Sequence, residues 1–225
     1  MSHPCDVVNL GVTRYGDALR RQELAHADVV AGKSCGIIFC VEHEPVLTLG
    51  KNSDAGNLLF PREFYLKSGV EIFETERGGQ VTAHMPGQLV VYPVIDMAGF
   101  GLTVREYVSL LEDAVIKTLD GYGIRAHRDA EHPGVWVGHE KICALGVRVK
   151  SRVTMHGLAL NIHNDLSLFG KIIPCGIKFR GVTSMERIVG RKIPLSDVQG
   201  NLVGHIVESL SSRHRDHHAG TPGHD

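Results

Sequence analysis

Residues 134–163 read GVWVGHEKICALGVRVKSRVTMHGLALNIH. Almost every position is apolar, β-branched or small, and the run is interrupted only at Gly138-His139-Glu140 and at Ser151-Arg152. Short polar breaks between such runs read as hairpin turns. Strands joined by tight turns must be antiparallel, since a parallel crossover needs about a dozen residues or more. The stretch therefore predicts three consecutive antiparallel strands, over 135–137, 142–149 and 153–162.

Further strands are expected over 7–12, 34–41, 46–49, 70–74 and 89–95, and helices occupy much of the rest. Leu19, Ala27 and Val30 give 15–30 helical spacing, with Gly32 as a stop signal. Thr103 and Glu106 form a capping box ahead of Tyr107, Leu111, Val115 and Leu119, which predicts a helix over 103–122. Ser196 and Gln199 suggest a second capping box before Leu202, Ile206 and Leu210. The expected fold class is α+β, a mixed, largely antiparallel sheet flanked by helices.

Composition narrows the function. Lys and Arg number 24 against 25 Asp and Glu, and the resulting net charge of -1 argues against a nucleic-acid partner, which calls for a basic excess. No apolar run approaches the ~20 residues that span a bilayer, so no membrane association is expected. The amino terminus lacks the pattern of a secretory signal. Five cysteines, at 5, 35, 40, 143 and 175, do not form a disulfide framework, which points to a reduced, cytoplasmic protein. We expect one catalytic domain over 1–212, in monomeric form, and a disordered tail over 213–225. That tail carries His214, His217, His218 and His224, read as solvated because a flexible segment holds no preorganised metal geometry.

Three segments look chemical. In Arg77-Gly78-Gly79-Gln80-Val81-Thr82-Ala83-His84, paired glycines free backbone amides to face a ligand, Arg77 supplies a fixed cation, and His84 exchanges protons near neutrality. The same residues also read as two turns flanking a short strand. Lys141 stands at the start of an apolar strand, either as a solvated strand end or as an ammonium beside an apolar pocket. Cys175, between Pro174 and Gly176, suits a nucleophile with an unobstructed amide next to it, although an inert thiol is the alternative. A thiol pKa of about 8.5 calls for a nearby cation, and Lys141 is the candidate if the fold brings the two together. Cys143 reads as core. Gly157 and Ala159 alternate with larger residues and leave one strand face bare, where a ligand or another backbone packs closely.

Taken in order, RGGQVTAHMPGQ, KICALG, MHGLALNI and IPCGI resemble the four motifs of the octanoyl-acyl-carrier-protein:protein octanoyltransferases of lipoate biosynthesis. The resemblance runs from about Pro45 to Leu210. It implies a biotin/lipoate protein ligase-like fold and transfer without ATP, metal or organic cofactor. Cys175 would accept the octanoyl group as a thioester from octanoyl-acyl carrier protein and pass it to a lysine of a lipoyl domain. The implied acceptors are lipoyl domains of 2-oxoacid dehydrogenase and glycine cleavage proteins. Lys141 would lower the thiol pKa and shuttle the proton. Arg77, Gly78, Gly79, Gln80, Val81, Thr82, Ala83, His84, Ala144, Leu145, Gly146, Gly157, Leu158 and Ala159 would bind the substrate.

Two positions depart from the pattern: Ala83 replaces a bulky aromatic and Met85 a glycine. The expectation is an acyl pocket enlarged at Ala83 and partly refilled by Met85. An altered chain-length preference, or a non-catalytic relative that binds lipoyl domains, is the alternative these changes raise.

Overall fold

The computed structural model describes residues 5–173 and 180–219, with backbone alone at 55 and 215–219. β1 (Asp6–Thr13) leads through helix α1 (Tyr15–Val30) to β2 (Gly36–His43), which pairs parallel with β1. Then come β3 (Val46–Leu49), α2 (Arg62–Lys67), β4 (Glu71–Glu74), β5 (Val81–His84) and β6 (Gln88–Ile95). Helix α3 (Val104–Asp120) precedes β7 (His127–Arg128), β8 (Gly134–Val137), β9 (Glu140–Lys150) and β10 (Val153–Asn161). Helices α4 (Met185–Val189) and α5 (Leu195–Ala219) follow.

The main sheet runs β1-β2-β6-β10-β9-β8-β7 and is antiparallel after its first pair. The three strands predicted over 134–163 are present as β8, β9 and β10. Ser151 and Arg152 take φ of 51° and 66°, the left-handed pair that matches a two-residue turn to the twist of its strands. A second sheet, β4-β3-β5, is built from residues that sequence periodicity did not join. Its β5 was legible only as a short strand between turns.

Every residue of β6 and β10 is buried, because layers cover both faces of the sheet. Leu89, Val91 and Ile95 of β6 face the layer of α3 and α5, where Leu111, Val115, Leu202 and Ile206 pack. Val90, Tyr92 and Val94 face the other side, with Ala18 and Val29 of α1. A third cluster beneath the small sheet gathers Leu47, Val81, Ala83, Met85, Phe169 and Ile172.

The capping box of α3 is formed as expected: Glu106 N donates to Thr103 Oγ1 and Thr103 N to Glu106 Oε2. Three expectations need correction. Helix α1 buries Tyr15, Ala18, Gln22 and Val29, while Ala27 and Val30 are exposed, so its inner face is rotated from the one the apolar spacing marked. Helix α5 begins at Leu195, where Asp197 N and Val198 N donate to Pro194 O, and Ser196 Oγ contacts Asp197 rather than a capping partner. Finally, α5 continues through residues 213–219. Arg213 pairs with Glu106 and His214 reaches Gly99 O, anchoring a stretch that lacks apolar periodicity. Among the described residues, no helix is long and apolar enough to cross a membrane.

Candidate active site

Between the two sheets lies a narrow cavity with about 40 Å³ open to the centres of water molecules. Its walls come from β5 and the loop before it (Arg77, Gly79, Val81, Thr82, His84), from β9 (Ala144, Leu145, Gly146) and from β10 (Gly157, Leu158, Ala159). Segments separated in sequence thus converge on one space. Gly78 and Gln80 line an adjoining groove of about 340 Å³, together with His132, Pro133 and Lys141. The two spaces share Gly79, Leu145 and Gly146. A larger groove, lined by Leu49, Lys51, Phe60, Arg62 and Glu74, touches none of the predicted site residues.

Ala83 does not line the cavity. Along β5 the side chains alternate: Thr82 and His84 face the cavity, whereas Ala83 and Met85 enter the cluster beneath the small sheet. Met85 keeps ordinary backbone geometry, outside the left-handed region, and its sulfur accepts from Asn164 Nδ2. The expected enlargement of the acyl pocket is therefore a change in core packing instead.

Arg77 is buried, and its guanidinium donates to Thr48 Oγ1, Thr48 O, Gly78 O and Gln80 O. It ties its own loop to β3: the Gly78 and Gln80 carbonyls and both Thr48 oxygens are drawn around one cation. Gly79 takes φ of 82°, a conformation open to glycine at little cost. The turn reading and the ligand-cradle reading thus describe one arrangement. Gly157 answers mainly to a neighbouring backbone, since a Cβ there would lie 2.2 Å from Val91 O.

At the polar end of the cavity, His84 was legible in the sequence but the rings around it were not. His43, His84 and His156, with Tyr15 and Tyr92, form a buried ring cluster; the Tyr15 and His84 rings stack with centroids 6.3 Å apart. Gln88 spends its Nε2 protons on Ala83 O and Asn161 Oδ1, so its Oε1 accepts from His84 Nδ1 at 2.8 Å. Tyr92 OH lies 2.8 Å from His43 Nε2, while His43 Nδ1 donates to Thr13 O. Burial pushes His43 down to about 4 and both His84 and His156 to about 3. All three imidazoles are consequently neutral at pH 7, so among the described residues Arg77, whose charge is spread over its hydrogen bonds, is the cation in the cavity wall. The expected proton exchange by His84 near neutrality is corrected accordingly. His156 also takes φ of 58° within a strand, a strained conformation for a non-glycine residue. Beyond His84, a tyrosine opening a helix and a histidine before glycine were the sequence signals for this cluster.

Lys141 is buried, at 8% exposure, which removes the solvated strand-end reading. Its Nζ donates to Pro133 O at 3.0 Å and lies 4.8 Å from the Trp136 ring centroid. Strict alternation would send Lys141 and Ala144 to opposite faces of β9. A bulge prevents this: Val135 pairs with Cys143 and Trp136 with Lys141, so Ile142 is an extra residue. Ile142 and Cys143 both enter the core, and Lys141 emerges beside Ala144. Those two, with Thr82, Gln88, Ala159 and Asn161, bound a small space that adjoins the main cavity. Lys141 N also donates to Gly181 O, and Thr183 N to Lys141 O, so the chain following residues 174–179 is laid along the lysine.

Cys175 lies outside the described residues. Of the other thiols, Cys5 and Cys40 are pushed up to about 12 and Cys143 higher by burial, while Cys35 is exposed. Cys143 is core, as expected.

Comparison with known proteins gives the family and the fold. Residues 14–207 match the family described as the lipoyl protein ligase A/B catalytic domain. An octanoyltransferase of Caldicellulosiruptor saccharolyticus is 45% identical over 195 residues, covering 86% of this chain and 83% of that protein. One from Bacteroides fragilis is 41% identical over 210 residues, covering 88% and 95%. Among solved structures, a lipoate protein ligase from T. acidophilum with bound lipoic acid superposes with a TM-score of 0.69 at 16% identity, covering 96% and 94%. Biotin protein ligase from Aquifex aeolicus gives 0.54 at 13% identity, covering 93% and 71%. The latter two establish the fold.

Proposed function

The chain belongs to the octanoyltransferases of the lipoyl protein ligase A/B catalytic-domain family, which are acyltransferases, and from that premise we propose how it works. It moves an octanoyl group from an acyl-carrier-protein thioester to a lysine of a lipoyl domain, through Cys175. The observation that carries this reading is the position of Lys141. Its side chain borders the outer groove and the small space that adjoins the narrow cavity, and its backbone is paired with the chain that follows residues 174–179.

In the first half, the Cys175 thiolate attacks the donor's thioester carbonyl. A new carbon–sulfur bond forms, the old one breaks, and the departing carrier thiol takes a proton. In the second, the acceptor amine attacks the Cys175 thioester, an amide forms, and the sulfur leaves with the proton the amine gives up. A lysine ammonium beside the sulfur favours thiolate and moves the proton in both halves. The cavity holds the alkyl chain against its small and apolar residues, Val81, Val90, Ala144, Leu145, Leu158 and Ala159, while the imidazoles are uncharged and Arg77 is occupied by its own hydrogen bonds. Thioester exchange is nearly balanced in energy, and amide formation makes the second half downhill.

Intact mass spectrometry after mixing with octanoyl-acyl carrier protein tests this. A hydroxylamine-labile gain of one octanoyl group, without ATP and absent in Cys175→Ser, is expected. No mass gain in the wild type, or an equal gain in Cys175→Ser, removes the thioester step.

A further inference from the structure

The turn over residues 129–133 holds three things at once. Asp129 Oδ1 accepts from Glu131 N and His132 N, both at 3.0 Å, which shapes the turn. The carbonyls it presents are then used: His132 O accepts from Trp136 Nε1 at 3.1 Å, and Pro133 O from Lys141 Nζ at 3.0 Å. The other carboxylate oxygen of Asp129 accepts from Arg180 Nη1. Arg180 in turn places its guanidinium carbon 4.4 Å from the centroid of the Trp136 ring, against which Lys141 Nζ also lies at 4.8 Å. Both distances are within cation–π reach, about 6 Å. The indole is 1% exposed, so water screens these contacts little.

We propose that Asp129, Arg180 and Trp136 are positioning residues, a clamp that holds the Lys141 ammonium and the chain emerging from the Cys175 segment in one fixed relation. This rests on the function proposed above. Arg180 is followed directly by Gly181, whose carbonyl receives the Lys141 amide, so the clamp grips the side chain of the lysine and the backbone laid along it. The Asp129–Arg180 pair keeps its charge far into acid, because the hydrogen bond from Arg180 holds the Asp129 carboxyl down at about 2. The indole takes both cations without consuming a lone pair or a proton of either. Lost clamping moves the lysine relative to the thiol without removing either, and misplacements of about 1 Å are enough to cost catalysis dearly.

The experiment measures acyl-enzyme formation and, separately, alkylation of Cys175 by iodoacetamide, read by peptide mass so that Cys35 is distinguished. Arg180→Met and Asp129→Asn are each expected to lower kcat about tenfold with KM for the donor within about twofold of wild type. The double variant is expected to lose no more than either single, because both break one pair. Trp136→Leu falls similarly, whereas Trp136→Phe, which keeps an aromatic face, recovers most of the rate. Alkylation slows in the same variants. If the variants lower the thermal midpoint alone and leave kcat and alkylation at wild-type values, or if the two single losses add, the clamp is overturned. A wild type that forms no acyl-enzyme, yet whose alkylation slows in Arg180→Met and Asp129→Asn, refutes the octanoyl-transfer reading and upholds the clamp.

Discussion

Lys141 and Ala144 face the same space although they stand three positions apart on one strand, because the extra residue Ile142 inverts the alternation between them. The bulge brings an ammonium into a space otherwise bounded by uncharged side chains, among them Thr82, Gln88, Ala159 and Asn161.

Removal of that ammonium is the direct check. Lys141→Met preserves the stem against Trp136 and is expected to slow acyl-enzyme formation by about a hundredfold or more, the scale of a positioned acid–base group. Deletion of Ile142 removes the extra residue and leaves Lys141 and Ala144 two positions apart, still on one face, so a folded deletion variant is expected to form acyl-enzyme faster than Lys141→Met. A folded deletion variant as slow as Lys141→Met contradicts this reading of the register; stopped-flow acylation reads both.

Packing separates cavity from core. Ala159 lines the cavity where it meets the space beside Lys141, and Ala159→Leu is expected to suppress octanoyl transfer more than transfer of short acyl groups. Met85 lies in the other cluster, so Met85→Ala should cost about 3 kcal/mol of stability and leave chain-length selectivity unchanged. Competition between acyl donors of different length, alongside denaturant titration, tells the two apart.

Gly157 admits no side chain, since the added carbon would press on Val91 O at 2.2 Å. Gly157→Ala is expected to destabilise the fold by about 3 kcal/mol, through displaced backbone rather than lost contacts. Urea unfolding measures it; a loss below about 0.5 kcal/mol would show that β6 yields freely.

The buried imidazoles tie stability to pH. Free histidine titrates near 6.5, whereas burial lowers His43 to about 4 and His84 and His156 to about 3. Between those values the unfolded chain binds protons that the folded one refuses, so stability is full above pH 6.5 and falls as pH drops through 4 toward 3. Each histidine contributes a slope of at most about 1.4 kcal/mol per pH unit in that window. His84→Gln, which retains a hydrogen-bonding amide, should flatten the urea midpoint against pH between 6 and 4. An unchanged slope would mean the ring is not held neutral by burial.

How much was legible follows from the range of the interactions involved. Hairpins, the Thr103–Glu106 box and the burial of Cys143 depend on neighbours a few positions away or on side-chain polarity, and these appear in the sequence as patterns. The inner face of α1 was misread because its buried stripe contains Tyr15 and Gln22, whose polar atoms serve the site: Gln22 Oε1 accepts from His156 N. Ala83 was assigned to the wrong side because a motif names neighbours in line, while a strand sends alternate ones to opposite faces.

The amino-acid sequence by itself determined the class of fold, the alternation that makes its strands two-sided, and the ordered motifs that mark the family. Tertiary structure alone decided which side chains share a space: that Lys141 turns to the same side as Ala144, that three histidines are buried and remain neutral, and that Asp129 reaches Arg180. The reason is that a bulge, a desolvation or a cation over a ring arises from groups brought together by folding, and no local pattern of residues carries their distances.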